Sequence, residues 1–543
     1  MLRRTLPRAR WARLTSWARL TPLAALLALA LPVQAQTVIG GQVFTVQEMV
    51  GVGRLAANLR DTHGETFGSI SGLWADLASW QRVGNTYTGT FLAAPDRGYN
   101  IAGTIDYAPR LNTLQMSFTP AAPGASGLAQ NQIALTLTDS TRLYETLAGG
   151  GTQFLTGLDP VPGGVAAGGA RPATASMPEL PQAFNGKLSL DAEGVVVLAD
   201  GSRLVSDEYG PSIYRFAADG RFLGALAVAP SVRPIRNGVT DYSSNNPTVG
   251  QPAPTPANPS AGRANNQGFE GLTVSPDGRT LFVGLQSAAR QDLNPASGTT
   301  AAATRDHTRV FTYDISNPAD IRLTGEYVVK LPKFVQNGAT LVAAQSELLA
   351  LSSTQLLMLP RDSNGREVGT QTSLLRAVEI VDLSGATNIL GASFEAQIAP
   401  GGVLNPAIVP AAKSLLLDIN DRNQLNRFGL TNGQQAGFEN LSEKWEGLAL
   451  LPALDPSRPD DYFLFIANDN DFATTDGFHA GAAYNDGKNL DTMFLAYRVT
   501  ISAVPEPGSA LLLALGGAVL LGVARRRQAA GSAGSAGAAG SRT

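Results

Sequence analysis

Apolar residues along the chain come in short runs, not in stripes with a helical period. Val195-Val196-Val197-Leu198 is followed by Asp200-Gly201, by a second run over 203–205, and by a third over 212–216. Runs of this length bounded by Asp-Gly read as β-strands joined by tight turns. The same phrase returns at Glu270-Gly271-Leu272-Thr273-Val274, with Pro276-Asp277-Gly278 as the turn and 280–283 as the return strand. A third copy opens at Glu446-Gly447-Leu448-Ala449-Leu450 and continues through 462–466, and a variant opens at Ser71-Gly72-Leu73 with 90–93 as its return.

A meander of strands with a repeated opening phrase predicts an all-β, β-propeller-like fold. The Glu-Gly steps fall 77 residues apart (193 to 270) and then 176 apart (270 to 446). Those gaps suit one blade and then two or more, which gives six or seven blades swollen by loops. Segments 160–181, 237–268 and 294–304, rich in Pro, Gly, Ala, Ser and Asn, are expected as long, mobile surface insertions. A two-sheet sandwich is the alternative architecture.

The two ends change the picture from a plain globular chain to an exported one. Six arginines between Arg3 and Arg19, an apolar run over 20–31, and Val33-Gln34-Ala35 have the order of a cleaved signal peptide, so 1–35 is assigned to it. At the other end Val504-Pro505-Glu506-Pro507-Gly508 precedes an apolar run over 510–524 and then Arg525-Arg526-Arg527. A helix of that length rises about 22 Å against roughly 30 Å of hydrocarbon, so it makes a short transmembrane helix helped by snorkelling arginines. The Pro-Glu-Pro triplet, apolar segment and basic stop resemble the PEP-CTERM sorting signal of Gram-negative bacteria. That resemblance implies processing by an exosortase-type enzyme and a place in the cell envelope, at the surface or in the extracellular matrix. The domain plan is therefore 1–35 signal, 36–503 β-domain, 504–527 sorting and anchor segment, and 528–543 a disordered Gly/Ala/Ser tail.

Composition removes several kinds of chemistry. The chain has no cysteine and three histidines, which excludes thiolate sites and disfavours a polyhistidine zinc centre. Ten of the 41 basic residues lie in the signal segment or beyond the Pro-Glu-Pro triplet, leaving 31 against 44 acidic residues, a net of −13 for the stretch between with the triplet's Glu506 included. Such a field repels nucleic acid and bare phosphate and attracts cations. No Gly-x-Ser-x-Gly elbow, P-loop or His-Glu-x-x-His is present.

The acidic residues stand in a recognisable order. Asp96-Arg97-Gly98, Glu193-Gly194 and Ser206-Asp207-Glu208-Tyr209-Gly210-Pro211 come first. Asn266-Gln267-Gly268-Phe269-Glu270-Gly271, Arg309, Leu359-Pro360-Arg361-Asp362 and Lys413 follow, and then Lys444-Trp445-Glu446-Gly447 and Asn468-Asp469-Asn470-Asp471-Phe472. Across 68–472 this order resembles the phytase-like domain family, also described as the esterase-like activity of phytase. The resemblance implies a propeller-like fold rich in Glu and Asp and a phosphoesterase or phosphodiesterase activity. Two positions depart from the family pattern, Pro360 and Gln286, where acids are usual.

Physics gives these acids a reading of their own. In a propeller a Glu that opens an innermost strand sits at the mouth of the central channel, which would bring Glu193, Glu270 and Glu446 together with Asp96 as catalytic acids. Two carboxylates about 4 Å apart repel by about 4 kcal/mol at an effective dielectric of ~20. A group of them must bind a cation, pair with Arg or Lys, or hold protons. Glu208, Glu270, Glu446, Asp469 and Asp471 are the expected ligands, and an all-oxygen set suits Ca²⁺ or Mg²⁺. Arg97, Lys413 and Lys444 are the expected clamps on a substrate anion. The structural alternative for each Glu is an ion pair with a neighbouring blade, and Asp200, Asp219 and Asp277, each before Gly, are turn formers. The expected function is cation-dependent hydrolysis of a small phosphorylated substrate outside the cell. The alternative is a non-catalytic propeller that binds extracellular polysaccharide or a protein partner.

Overall fold

The computed structural model describes residues 36–294 and 305–504. Five antiparallel meanders of four strands each build the domain. The first runs Gly72–Ala75, Thr86–Ala94, Arg110–Phe118 and Ile133–Arg142, and the second Ala192–Val197, Arg203–Asp207, Ser212–Phe216 and Phe222–Ala225. The third is Phe269–Val274, Thr280–Leu285, His307–Asp314 and Arg322–Lys330, and the fourth Ala344–Ala350, Gln355–Arg361, Ala377–Asp382 and Ala412–Asp418. The fifth starts with Lys444–Pro452, Asp461–Asp469 and Thr492–Ala503, and takes its outermost strand from the beginning of the domain, Gln42–Leu55. Gln42 pairs with Ala503 and Leu55 with Thr492, so both ends of the domain close one sheet. A single parallel bridge, Gly53 to Ile133, joins that sheet to the first meander.

The apolar pattern explains the radial arrangement. These strands bury both faces, so their side chains alternate between two neighbours. Phe463 and Phe465 turn toward Phe91, Leu114 and Phe118 of the first meander. Leu464 and Ile466, one step along, pack with Leu357, Leu359 and Ile380 of the fourth. Separate apolar clusters likewise join the first meander to the second, the second to the third, and the third to the fourth. The five innermost strands surround one cavity of about 150 Å³, lined by Leu73, Val195, Leu272, Leu348 and Leu448 among others. The meanders are thus propeller-like, and they do not face each other as the two sheets of a sandwich.

Space at the axis is set by glycine. A Cβ on Gly72 would lie 2.7 Å from the Glu193 carbonyl oxygen, one on Gly194 2.7 Å from Leu272 Cβ, and one on Gly271 2.7 Å from the Glu347 carbonyl carbon. Each glycine therefore admits the next innermost strand. The fourth strand has Leu348 in place of glycine, and there the Glu347 carboxylate accepts amide N–H groups of Leu272 at 3.2 Å and Leu348 at 2.8 Å. Ladder register slips beside the same residues, between Ala192 and Val195, Phe269 and Leu272, Gln345 and Leu348, and Trp445 and Gly447. Bulges of this kind re-aim side chains, here Glu193, Glu270 and Glu446.

Two expectations change. Five meanders, not six or seven blades, account for the described strands, because the remaining length is spent on insertions. Segment 237–268 is not a solvated loop: Asp241, Ser243 and Arg263 within it are buried. Arg263 donates to the Tyr209 and Tyr242 carbonyls at 2.9 and 2.6 Å, and Arg236, just before the segment, donates to the Asp241 carbonyl at 2.9 Å. The signal segment 1–35, the proposed anchor beyond Val504 and the tail 528–543 lie outside the described residues, as does most of 294–304. Among the described residues no helix is long and apolar enough to cross a membrane.

Gly271→Ala places its new methyl against the backbone of the fourth meander and is expected to cost about 1–3 kcal/mol, the range for overpacking. Gly385→Ala, where nothing lies within 4 Å, should leave the chemical-denaturation midpoint unchanged. Equal midpoints for the two variants would contradict the close approach at the axis.

Candidate functional site

In an antiparallel hairpin the start of one strand lies beside the end of the next. Each meander therefore brings two points of the sequence to the same end of the axis: the opening of its innermost strand and the close of its second strand. Ser71 and Asp96-Arg97 come from the first, Asp191, Glu193 and Glu208 from the second, and Glu270 and Gln286 from the third. The fourth supplies Arg361, and the fifth Lys444, Glu446, Asp469 and Asp471. The opposite halves of the innermost strands carry the apolar side chains of the axial cavity.

The acids converge as the sequence led one to expect. Carboxylate oxygens of Glu193, Glu208 and Glu270 lie within 4.8 Å of one another, as do those of Asp96, Asp191 and Glu193, and those of Asp96, Asp469 and Asp471. Glu193 and Asp96 each belong to two of these groups, so the set is continuous. Asp96, Glu193, Glu208, Glu270, Glu446 and Asp469 are buried, while the Asp471 side chain is 55% exposed.

Three cations sit among them. Arg97 Nη1 lies 2.5 Å from Asp191 Oδ2 and 4.0 Å from Glu208 Oε2. Lys444 Nζ is 2.5 Å from Asp469, 2.9 Å from Asp471, 3.5 Å from Glu446 and 3.6 Å from Asp96. Arg361 donates through Nη1 to Glu443 at 3.0 Å, through Nη2 to Glu446, and through Nε to Ser346 at 3.0 Å. Gln286 donates its amide to Glu270 Oε1. Glu270 Oε2 and Glu446 Oε2 are buried and accept no hydrogen bond.

The proton affinities follow from this crowding. Burial, then Glu270, Asp191, Asp96 and Glu208, raise the Glu193 carboxyl well above the usual range. Glu270 is raised likewise by burial, then by Glu208 and Glu446. Burial outweighs Lys444 and Arg361 at Glu446, which is pushed up to about 8. Asp469 goes the other way, because the contact with Lys444 overcomes its burial and lowers it.

Of the expected clamps, Arg97 and Lys444 join the cluster and Lys413 does not. Lys413 sits on the outermost strand of the fourth meander and holds Glu379 at 2.8 Å, three strands out from the axis. Its place in the order of phrases put it with the site, but strand order places it on the rim. Pro360 is buried on the second strand of the same meander, opposite Gln345. Sequence reading missed Asp191, Arg361 and Glu443 as members. Asp191 lies two residues before Glu193, a spacing that strand alternation puts on the same face, whereas Glu443, three before Glu446, has no such signal. Arg361 was visible only as part of a longer phrase.

Comparisons with known proteins bear on the family and not on the residues of the site. A family model described as esterase-like activity of phytase matches residues 65–472, and a PEP-CTERM protein-sorting motif matches 503–528. A secreted protein of Arthroderma benhamiae, itself uncharacterized, is 36% identical over 478 residues, covering 82% of this chain and 91% of that protein. Among solved structures, the PQQ-bound aldose sugar dehydrogenase of Streptomyces coelicolor aligns over 85% of this chain and 98% of its own, at 11% identity and a TM-score of 0.26. Virginiamycin B lyase of Staphylococcus aureus aligns over 83% and 99%, at 8% identity and a TM-score of 0.22. Likeness at that level says nothing about chemistry.

A pH dependence follows from the buried acids. Glu446 releases its proton near 4.5 when unfolded and near 8 when folded. Folding therefore takes up protons between those values, and stability falls as pH rises through that window. The melting temperature of chelator-treated protein is expected to drop from pH 4.5 toward pH 8, and Glu446→Gln to flatten the slope. A melting temperature that rises over the same window in the parent chain would overturn the assignment.

Proposed function

Because the chain belongs to the family described as esterase-like activity of phytase, we propose that it is an exported hydrolase of phosphate esters that works with a divalent cation at the acidic end of a five-bladed propeller. The observation that carries this reading is the group Glu193, Glu208 and Glu270, three buried carboxylates within 4.8 Å of one another, with the orphaned Glu270 Oε2 among them. The nearest groups acting on Glu193 are all carboxylates. The donors are all oxygen, with no His or Cys in the group, which fits Ca²⁺ or Mg²⁺. Glu446, Asp469 and Asp471 extend the ligand set on the other side of Lys444. A bound cation there supplies Lewis-acid polarisation of a phosphoryl oxygen and lowers the pKa of water.

The chain's own residues do the rest. Arg97 and Lys444 keep neighbouring carboxylates from repelling one another and place N–H groups where a phosphoryl anion would approach. Arg361 holds Glu446 and Glu443 in fixed rotamers, so the acids are oriented before substrate arrives. Gln286 fixes one oxygen of Glu270 and leaves the other for the ion. The sorting motif at 503–528 supports export, in line with the printed name of the fungal relative as a secreted protein. An exosortase-type enzyme processing that motif, with the membrane as a temporary anchor, completes the proposed route to the envelope of a Gram-negative cell.

One observation favours a second reading. Glu193, Glu208, Glu270 and Glu446 are each exposed by no more than 4%, as a closed structural calcium site would be. In that case the propeller binds polysaccharide or a partner and hydrolyses nothing.

Chelator-stripped protein is expected to release nitrophenol from a phosphate monoester or diester only after Ca²⁺ is restored, and Glu270→Gln to abolish the release. Ca²⁺ should also raise the melting temperature, by the equivalent of about 2.7 kcal/mol at a hundredfold excess over its Kd. Stabilisation by Ca²⁺ without turnover of any phosphoester would sink the hydrolase and leave the structural ion.

A further inference from the structure

Beside the acidic mouth lies a cavity of about 490 Å³, within the ordinary range for a small-molecule site. It touches the cluster through Arg361, whose guanidinium holds Glu446, and through Gln267, three residues before Glu270. One wall is apolar, formed by Leu331, Phe334, Leu341 and Val342. The two-stranded ribbon Lys333–Gln336 and Ala339–Val342 supplies most of it. The polar lining includes Arg305, Ser287 and Gln267. Gln267 Oε1 accepts from Ser287 at 2.6 Å and from Arg305 Nη2 at 2.5 Å, so the amide steadies the guanidinium at the cavity wall.

Arg305 differs from the other arginines at this end of the molecule. Arg97 and Arg361 are matched by carboxylates, whereas no ion pair involves Arg305 among the described residues. Residues 295–304 are Pro, Ala, Ser, Gly and Thr, so the neighbouring stretch of sequence brings no acid to it. Its immediate neighbour Asp306 is engaged by Lys333 at 2.8 Å. A half-buried guanidinium without a counter-charge among the described residues, in a cavity that also has an apolar lining, matches a ligand with one anionic group and an apolar body.

Resting on the phosphoesterase reading above, we propose that this cavity binds the substrate, and that the substrate class is a phosphate ester with a single anionic phosphoryl group and an apolar substituent. The phosphoryl group faces Arg305 and the acidic mouth, and the substituent lies on Phe334 and Leu341. An inositol polyphosphate fits the cavity poorly. Arg305 is its one arginine without a carboxylate, Arg361 is already held by Glu443 and Glu446, and Asp362 lines the same wall.

The test is calorimetric binding of non-hydrolysable probes to the purified full chain, with chelator and again with Ca²⁺. Benzylphosphonate is expected to bind at least about tenfold tighter than methylphosphonate, and tighter than inositol hexakisphosphate. Arg305→Gln should weaken benzylphosphonate about tenfold with an unchanged melting temperature. Phe334→Ala should remove the preference for benzyl over methyl. Equal affinity of Arg305→Gln and the parent chain, or tightest binding of the hexakisphosphate, would overturn the proposal. Retained benzylphosphonate binding in a protein that hydrolyses no phosphoester would uphold the pocket and refute the hydrolase. Hydrolysis with no Arg305-dependent binding would do the reverse.

Discussion

Everything at the functional end of this molecule depends on how closely its five innermost strands approach one another. Gly72, Gly194 and Gly271 leave no room for a side chain because the backbone or Cβ of the next strand already occupies it. That approach forces the neighbouring glutamates to share a small volume, and the bulge at each Glu-Gly step turns them toward it. The acidic site is thus a by-product of how the ring closes as much as a separate construction. Glu347, in the one innermost strand that has leucine after its glutamate, spends its carboxylate on backbone amides of two strands and takes no part in the charged cluster.

The cost of gathering buried carboxylates is met in three ways. Arg97, Arg361 and Lys444 neutralise part of the charge, with Lys444 contacting four acids. Burial and mutual repulsion raise the proton affinities of Glu193, Glu270 and Glu446, which favours the neutral carboxyl at each. Glu270 Oε2 remains without a donor among the described residues, and it is there that the proposed divalent ion would act. These three share one electrostatic balance, so a change at any of them alters the others. Gln286 belongs to the same balance, since its amide gives Glu270 a hydrogen bond where a carboxylate would repel it.

Closure of the domain is equally economical. The strand Gln42–Leu55 completes the last meander beside Thr492–Ala503, so a strand near the start of the domain and its last strand stabilise each other along their whole length. The insertion over 237–268 is held by Arg263, with Arg236 at its base, through donation to backbone carbonyls, a device that orders irregular chain without apolar burial. Such a segment is rich in Pro, Gly and Asn yet well packed, which is why composition alone misjudged it.

The sequence by itself determined the strands, their turns and the identity of most site acids. Short apolar runs between Asp-Gly steps report burial on both faces, a local property, and the third strand of the second meander falls on 212–216 as the pattern predicts. Repetition of Glu-Gly located Glu193, Glu270 and Glu446 because one backbone requirement recurs in three of the five innermost strands. Tertiary structure alone decided the number of meanders, since insertions and strands have lengths that spacing cannot separate. It also decided that Lys413 faces Glu379 on a rim strand while Arg361 and Asp191 face the axis. Pairing order along a sheet sets distance from the axis, and that order is a long-range property no single run of residues encodes.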